Sequence, residues 1–324
     1  MAEKYPLVSI LTASYNSERF IRTALDSALA QTYPNFEIIF IDDGSTDGTR
    51  DIVKGYAVRD KRIHYFEQEN MGILRTRNAM LEKAQGEFIT YLDHDDMYAP
   101  NKVKREVEFL QAHPEDAAVY CNYYCFFNEN PEKNYLHVYP LYEGQIFEPL
   151  LDKIFIANTT FMMRSSVVKE LGPYNPATGM VEDWEYFLRM SRHGMLFGLI
   201  QDRLARIRIR DDSSTRFENQ PKIQSSVVKI FEQLNDWLTP EERLKYGMEH
   251  RLWVKRMKLG AAELGAENKE GFYEAWHSAW QNSQWRWLVV PLGNVVVAIL
   301  PAGFLAWAVR RAAIAKKAGV TIPA

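Results

Sequence analysis

The first part of the chain alternates apolar runs of strand length with segments in which apolar residues recur at helical spacing. The apolar runs cover residues 7–11, 36–41 and 88–92. Between them, residues 17–29 and 73–84 carry apolar side chains three and four positions apart, which is typical of helices packed on one face. Strands separated by helices of this length predict a mostly parallel sheet with right-handed crossovers and helices on its faces. The pattern therefore predicts an α/β fold.

The pattern changes character towards the end of the chain. Residues 154–163 are still strand-like, but from about residue 217 the spacing of apolar residues is helical. Thr239, followed by proline and two glutamates, is a strong helix start. We expect three parts, namely an α/β domain over 1–216, a helical extension over 217–286 and an apolar tail over 287–324.

Composition narrows the classes of protein that fit this pattern. The chain has 324 residues, 47% of them hydrophobic, and a net charge of -3. This charge gives no reason to expect nucleic acid as a partner, since a phosphate-binding surface normally shows as a basic excess. Cys121 and Cys125 lie too far apart in a predicted strand to form a disulfide, which is consistent with a reducing cytoplasm. Residues 1–6 lack the basic and apolar regions of a signal peptide, so we expect a cytoplasmic protein.

The tail is the most apolar part of the chain. Residues 287–309 carry no charge, and as a helix they would extend about 35 Å, enough to cross a bilayer. Proline and glycine interrupt this segment at 291–293 and 301–303, and a basic C-terminus on the outer side would oppose the positive-inside tendency. Three alternatives stay open: a helix or hairpin in the inner leaflet, a full span, and an interface with a second copy or another protein. We favour the first, which predicts a peripheral protein at the cytoplasmic face of the inner membrane.

Two acidic clusters follow directly on predicted strands, Asp42-Asp43-Gly44-Ser45 and Asp93-His94-Asp95-Asp96. In open parallel sheets, ligands bind beyond the carboxyl ends of the strands. Carboxylates two residues apart can present oxygens to one hard divalent cation that also binds diphosphate. Taken singly, the first cluster is equally compatible with a polar turn, and the second is more often an acidic surface loop than a metal site. A phosphatase with an aspartate nucleophile is disfavoured, because Asp96-Met97 stands where such sites have Gly-Thr or Gly-Val.

Five short signatures occur in order along the chain. They are Ser14-Tyr15-Asn16, Asp42-Asp43-Gly44-Ser45, Asn70-x-Gly72 with Arg77-Asn78, Asp93-His94-Asp95-Asp96, and Glu182-Asp183-Trp184. Together they resemble the family 2 inverting glycosyltransferases with the GT-A fold, over about residues 6–215. The resemblance implies transfer of one sugar from a nucleotide diphosphate sugar to an acceptor hydroxyl with inversion, assisted by Mn²⁺ or Mg²⁺.

The resemblance also implies a role for each matching residue. The nucleotide, by default uridine-based, would be held by Ala13, Tyr15, Glu18, Asp43 and Arg77. Asp95 would be the principal metal ligand, and Asp93 would meet the metal or the ribose. Asp183 would be the general base that takes the proton of the attacking hydroxyl. Without the other signatures, Glu182 and Asp183 would be better explained as acids that complement a helix dipole.

Arg210 departs from the family pattern, because the family often has a histidine at this position. Arginine cannot ligate a metal, but its planar donors can clamp a diphosphate. This interpretation predicts a metal site that relies more on Asp95, the phosphates and water.

Two other classes of function stay open. A sugar-1-phosphate nucleotidyltransferase would normally have a glycine-rich basic loop after the first strand, where this chain has residues 13–17. The other is a catalytically silent module that binds nucleotide sugars within a glycan-assembly complex. A tail close to the membrane would suit a saccharide or lipid-linked saccharide acceptor, as in polysaccharide or surface-glycan assembly. The sequence leaves open the sugar, the linkage and whether the chain forms homo-oligomers.

Overall fold

The computed structural model describes residues 5–128, 130–136, 140–210, 217–266 and 268. Within these ranges the chain separates into two compact units. The first contains residues 5–176 and 182–210, and the second contains residues 177–181 together with the described residues from 217 onwards.

The first unit alternates strands and helices over most of its length. Its strands are β1 (Val8–Ser14), β2 (Phe36–Asp42), β3 (Ile63–Glu67), β4 (Phe88–Tyr91), β5 (Met97–Tyr98), β6 (Asp116–Phe127), β7 (Asn130–Leu136), β8 (Phe161–Arg164) and β9 (Leu196–Ile209). Its helices are α1 (Ile21–Leu29), α2 (Thr49–Arg59), α3 (Ile73–Lys83), α4 (Lys102–Ala112), α5 (Phe147–Asp152), α6 (Ser165–Leu171) and α7 (Glu182–Arg192). The predicted α/β character of this part of the chain is confirmed.

These strands form one mixed sheet in the order β3-β2-β1-β4-β8-β6-β9-β5, with β7 paired to β6. Within the first four strands of this order, β3, β2, β1 and β4, all neighbours are parallel to one another. Strand β9 is also parallel to β6. The short strand β8 is antiparallel to both β4 and β6, and β5 is antiparallel to β9. The parallel part is therefore the first half of the sheet, where the predicted βαβ alternation lies.

The predicted strand over residues 154–163 is present only at its end. A single 3-10 turn, Asn158–Thr160, precedes β8. Because β8 runs against β4, this turn lies at the sheet edge where β4 ends. The side chains of Asn158 and Thr159 therefore belong to the same edge as the acidic cluster after β4.

The core of this unit lies between the sheet and the helices packed on it. Ile10 and Phe40 from the sheet, and Leu25 and Val107 from the helices, are completely or almost completely buried. The helix expected to begin after Ser17 begins at Ile21, and the Ser17 hydroxyl contacts the Ser14 hydroxyl instead of capping it. The two cysteines are free thiols, as expected.

The second unit is helical in the described residues, as the spacing of apolar residues predicted. It contains α8 (Gln220–Trp237), α9 (Pro240–Lys245) and α10 (Met248–Gly265). The predicted start at Thr239 is a complete capping box, in which Thr239 Oγ1 accepts from the Glu242 amide and Glu242 Oε2 accepts from the Thr239 amide. No helix among the described residues is long and apolar enough to cross a bilayer. The predicted tail over 287–324 lies outside the described residues.

Candidate active site

The loop after β1 and the loop after β2 are joined by side-chain hydrogen bonds. Asn16 has a positive φ of 50°, and its backbone amide donates to Ser45 Oγ at 3.0 Å. Its own side-chain oxygen accepts from the Thr46 amide at 2.8 Å. Glu18 adds a further link, since its Oε2 accepts from the Gly48 amide at 2.7 Å. These bonds fix the two loops against each other at the carboxyl ends of neighbouring parallel strands.

The surface that these loops form carries an exposed aromatic ring. Tyr15 is 48% exposed, and it follows Ala13 and Ser14, which pair with Ile41 and Asp42 of β2. An exposed tyrosine beside a rigid loop provides a flat apolar face on which a ring can stack. The structure thus places Ala13, Tyr15 and Glu18 together at this edge.

Asp43 is buried and uses its carboxylate to organise the start of α3. Its Oδ1 accepts from Gln68 Nε2 at 2.7 Å and from the Met71 amide at 2.9 Å, and its Oδ2 accepts from the Gly72 amide at 2.9 Å. Gln68 also donates to Thr76 on α3. Asp43 therefore fixes the loop before Arg77, in addition to any contact with a ligand.

Arg77 connects three elements of the predicted site. It is 7% exposed, its Nη1 donates to Glu182 Oε1 at the start of α7, and its Nη2 lies 3.6 Å from Asp93 Oδ1. With the Asn158 amide turned so that its oxygen faces the guanidinium, that oxygen accepts from both terminal nitrogens at 2.7 Å. Burial alone would lower the pKa of Arg77, but the charges of Glu182 and Asp93 outweigh it and raise this pKa. The guanidinium is thus a permanent cation between the acidic cluster and α7.

Asp183 is the second residue of α7 and lies beside this cation. Its Oδ1 accepts from the amide of Trp184 at 2.7 Å. Burial and the neighbouring charge of Glu182 raise the pKa of Asp183 to about 7, although Arg77 acts in the opposite direction. A carboxylate with such a pKa accepts a proton far more readily near neutral pH than an ordinary aspartate does. Trp184 packs inside the unit, with its indole N–H donating to Leu150 O at 2.8 Å.

The acidic cluster after β4 has three carboxylates in three different environments. The Asp93 side chain is 43% exposed, whereas Asp96 is buried and accepts from Thr159 Oγ1 at 2.6 Å and from the Arg208 amide at 2.9 Å. Burial, together with the charges of Asp95 and Asp93, raises the pKa of Asp96 well above its usual range. The side chain of Asp95 is less exposed than that of Asp93 and more exposed than that of Asp96. Its Oδ2 is 2.9 Å from Arg210 Nε. Asp96 is therefore a structural anchor, and Asp93 and Asp95 are the carboxylates that can face a ligand.

These oxygens suit a hard divalent cation such as Mn²⁺ or Mg²⁺. Among the described residues, the one group of three ligands that lie close enough together to enclose a metal is His113, Glu115 and Asp116. That group lies at the start of β6, at the opposite edge of the sheet from Asp93 and Asp95. A cation at Asp95 would need additional oxygens from a bound ligand, which is the expected arrangement for a cation shared with a diphosphate.

Three site residues were missed by the sequence reasoning, namely Asn158, Thr159 and Arg208. The first two lie in the turn before β8, and Arg208 lies near the end of β9. Nothing in the local sequence marks Asn158 and Thr159, because their role depends on β8 bringing a distant segment to the end of β4. For Arg208, the basic residues of 208–210 were a local signal.

The fold defines a class of protein. A mixed α/β sheet with helices packed on it has the architecture of the GT-A glycosyltransferases. The family model for glycosyl transferase family 2 matches residues 9–172, about half of the chain. The chain belongs to this family.

Several curated proteins are similar to this chain. An uncharacterised glycosyltransferase of Rickettsia typhi is 34% identical over 194 residues, which is 57% of this chain and 60% of that protein. The putative teichuronic acid biosynthesis glycosyltransferase TuaG of Bacillus subtilis is 44% identical over 106 residues, which is 32% of this chain and 42% of TuaG. These matches span less than two thirds of the relatives' own length.

Two solved structures share the fold at low sequence identity. Staphylococcus aureus TarS in complex with UDP-GlcNAc matches with a TM-score of 0.64 and 19% identity, over 85% of this chain and 81% of that one. The mannosyltransferase PcManGT of Pyrobaculum calidifontis, in complex with GDP-Man and Mn²⁺, matches with a TM-score of 0.59 and 18% identity, over 97% and 87% of the two chains.

Proposed function

We propose that this protein transfers a sugar from a nucleotide diphosphate sugar, with uridine as the base, to an acceptor hydroxyl with inversion at the anomeric carbon. The observation that carries this proposal is the position of Asp183. A carboxylate with a pKa of about 7 lies beside Glu182, and Arg77 joins Glu182 to Asp93 of the acidic cluster. This arrangement supports a proton acceptor placed next to a donor site.

The proposed donor site is the edge formed by the loops after β1, β2 and β4. Tyr15 would stack on the base, Ala13 would contact it through the backbone, and Glu18 and Asp43 would face the base and ribose. Asp95, with Asp93, would hold Mn²⁺ or Mg²⁺, and Arg210 would face the diphosphate. A bound cation would supply Lewis-acid neutralisation of the leaving diphosphate. The Mn²⁺ complex of PcManGT and the UDP-GlcNAc complex of TarS support a donor and a cation of these kinds.

The proposed chemical step is a single displacement. The acceptor oxygen attacks the anomeric carbon while the carboxylate of Asp183 takes its proton, and the bond from that carbon to the diphosphate oxygen breaks. The electron pair leaves with the nucleoside diphosphate. Because attack and departure occur on opposite faces, the anomeric configuration inverts without a covalent sugar–enzyme species. The opposing charges of Glu182 and Arg77 would set the affinity of Asp183 for this proton.

The acceptor that we propose is a saccharide or a lipid-linked saccharide used in polysaccharide or surface-glycan assembly. The similarity to TuaG, whose name places it in teichuronic acid biosynthesis, supports this class of acceptor. We also propose that the chain is peripheral at the cytoplasmic face of the inner membrane. Flotation of the full chain with vesicles of anionic phospholipid tests this, and full solubility in the presence of vesicles would contradict it.

The decisive experiment measures release of UDP from a panel of UDP-sugars in the presence of Mn²⁺, with water or added saccharides as acceptor. Asp183→Asn should keep nucleotide binding, measured by thermal shift, and lower turnover by about 10²–10⁴-fold. In Asp95→Ala, Mn²⁺ should no longer increase the release of UDP. Asp202→Asn, which removes an exposed carboxylate paired to Arg105 on the same unit, is the matched control and should behave as wild type. Full turnover in Asp183→Asn would contradict the proposal, and binding without turnover in wild type would indicate a silent binding module.

A further inference from the structure

The carboxylate expected to bind a metal already has a cation beside it. Arg210 Nε lies 2.9 Å from Asp95 Oδ2, and the two side chains are only 13% and 14% exposed. This ion pair is shielded from solvent much more than an ordinary surface pair, so it retains more of its electrostatic attraction.

Neighbouring contacts hold the pair in place. Arg208 Nε donates to the backbone oxygen of Asp95 at 2.8 Å, and the Arg208 amide donates to Asp96 Oδ1. The guanidinium groups of Arg208 and Arg210 both lie over the ring of Phe20, at 4.9 and 4.8 Å from its centre. The two arginines at the end of β9 thus bind the acidic cluster, and the ring of Phe20 packs against both of them.

From this geometry we infer that Arg210 competes with the divalent cation for Asp95, and that a nucleoside diphosphate relieves the competition by drawing Arg210 onto its phosphates. A diphosphate carries more negative charge than one carboxylate and matches the planar guanidinium with two parallel hydrogen bonds. When the diphosphate binds, Arg210 therefore exchanges Asp95 for a stronger partner. Asp95 is then free to bind the metal. The inference rests on the proposed donor site.

The consequence is coupling between metal and nucleotide beyond their direct contact. A cation that binds Asp95 releases Arg210 for the diphosphate, and the diphosphate releases Asp95 for the cation. Linkage requires both effects to have the same size. Removing Arg210 should thus strengthen metal binding to the nucleotide-free protein and weaken the coupling between the two ligands.

The test is a Mn²⁺ titration of the full chain, in which electron paramagnetic resonance counts the free ion with and without UDP. Without UDP, Arg210→Gln should bind Mn²⁺ about tenfold more tightly than wild type, equivalent to about 1.4 kcal/mol. With UDP, its further gain in Mn²⁺ affinity should be smaller than that of wild type. Arg206→Gln, which removes a charge from the same strand at a side chain bonded to Asn134, is the matched control and should stay within about twofold of wild type.

Arg210→Lys provides a second, graded measurement. It keeps a cation but loses the planar fork, so Mn²⁺ affinity without UDP should rise about threefold. Unchanged or weaker Mn²⁺ binding in both variants would overturn the inference. If wild type binds UDP together with Mn²⁺ but the Arg210 variants show no increase in Mn²⁺ affinity, the inference fails and the proposed donor site survives. If wild type binds neither ligand, the proposed function fails with it.

Discussion

The ion pair between Lys102 and Glu106 on α4 offers a sharp test of how this fold is held together. Both side chains are completely buried, and Lys102 Nζ lies 2.7 Å from Glu106 Oε2 and 3.1 Å from Thr90 Oγ1. The second carboxylate oxygen of Glu106, Oε1, has no hydrogen-bond partner among the described residues. The ammonium also lies over the ring of Tyr98, 4.3 Å from its centre. One lysine therefore compensates a carboxylate that the core otherwise leaves unsatisfied.

The magnitude follows from the state of Glu106. Burial raises the pKa of Glu106 from 4.5 to about 7, even though Lys102 acts to lower it. The folded chain thus holds this proton more tightly than the unfolded chain, so the contribution of Glu106 to stability falls as the pH rises from about 4.5 to about 7. That shift corresponds to about 3 kcal/mol against the ionised form. Lys102→Met removes the compensating charge and should cost about 3–5 kcal/mol at pH 8.

Urea unfolding followed by circular dichroism measures this cost. Lys104→Met is the matched control, because Lys104 and Glu108 form an exposed pair on the same helix at 3.7 Å, and its effect should stay below about 0.5 kcal/mol. The double variant Lys102→Met with Glu106→Leu should recover to within about 1 kcal/mol of wild type, since no buried charge remains. The loss of stability caused by Lys102→Met should also grow as the pH rises above 7. At that pH the Glu106 carboxyl gives up its proton readily in wild type, because Lys102 is beside it, but not in the variant. A double variant as unstable as the single one would refute this account.

Three further predictions concern the site and the two units. The rate of sugar transfer should rise with pH through about 7 and then level off, because Asp183 must be ionised to accept a proton; a rate independent of pH between 5 and 8 would argue against its role. Gly86→Ala should lower the free energy of unfolding by about 1–3 kcal/mol, because the new Cβ would lie 2.6 Å from a backbone nitrogen. Gly55→Ala, in open space within α2, should raise it by about 0.5–1 kcal/mol, and thermal unfolding compares the pair. Thr239→Ala should cost about 1 kcal/mol through loss of the capping box, measured by the same melt; an unchanged melting temperature would show that α9 does not depend on this cap.

Much of the site was predictable because its residues follow strands that the hydrophobic pattern reveals. Asp43 comes directly after β2, and Asp93 lies two residues beyond the end of β4. Because these strands are parallel to β1, their carboxyl ends lie at one edge of the sheet. The helix that carries Asp183 was likewise visible from its acidic first turn. The contacts that these side chains make could not be predicted from the sequence. Asp43 binds the backbone at the start of α3, and Arg77 pairs with Glu182 more than a hundred positions away along the chain.

The pattern of apolar and polar residues specified the parallel strands, their helices and the capped start of α9. The partners of the charged groups became visible only in the folded unit. The reversed strand β8 brings Asn158 under Arg77, and the end of β9 brings Arg210 onto Asp95. Periodicity encodes which face of an element is buried, because that depends on neighbours three or four residues away. Which charges meet depends on the order of strands in the sheet, and that order is set by the packing of the whole unit.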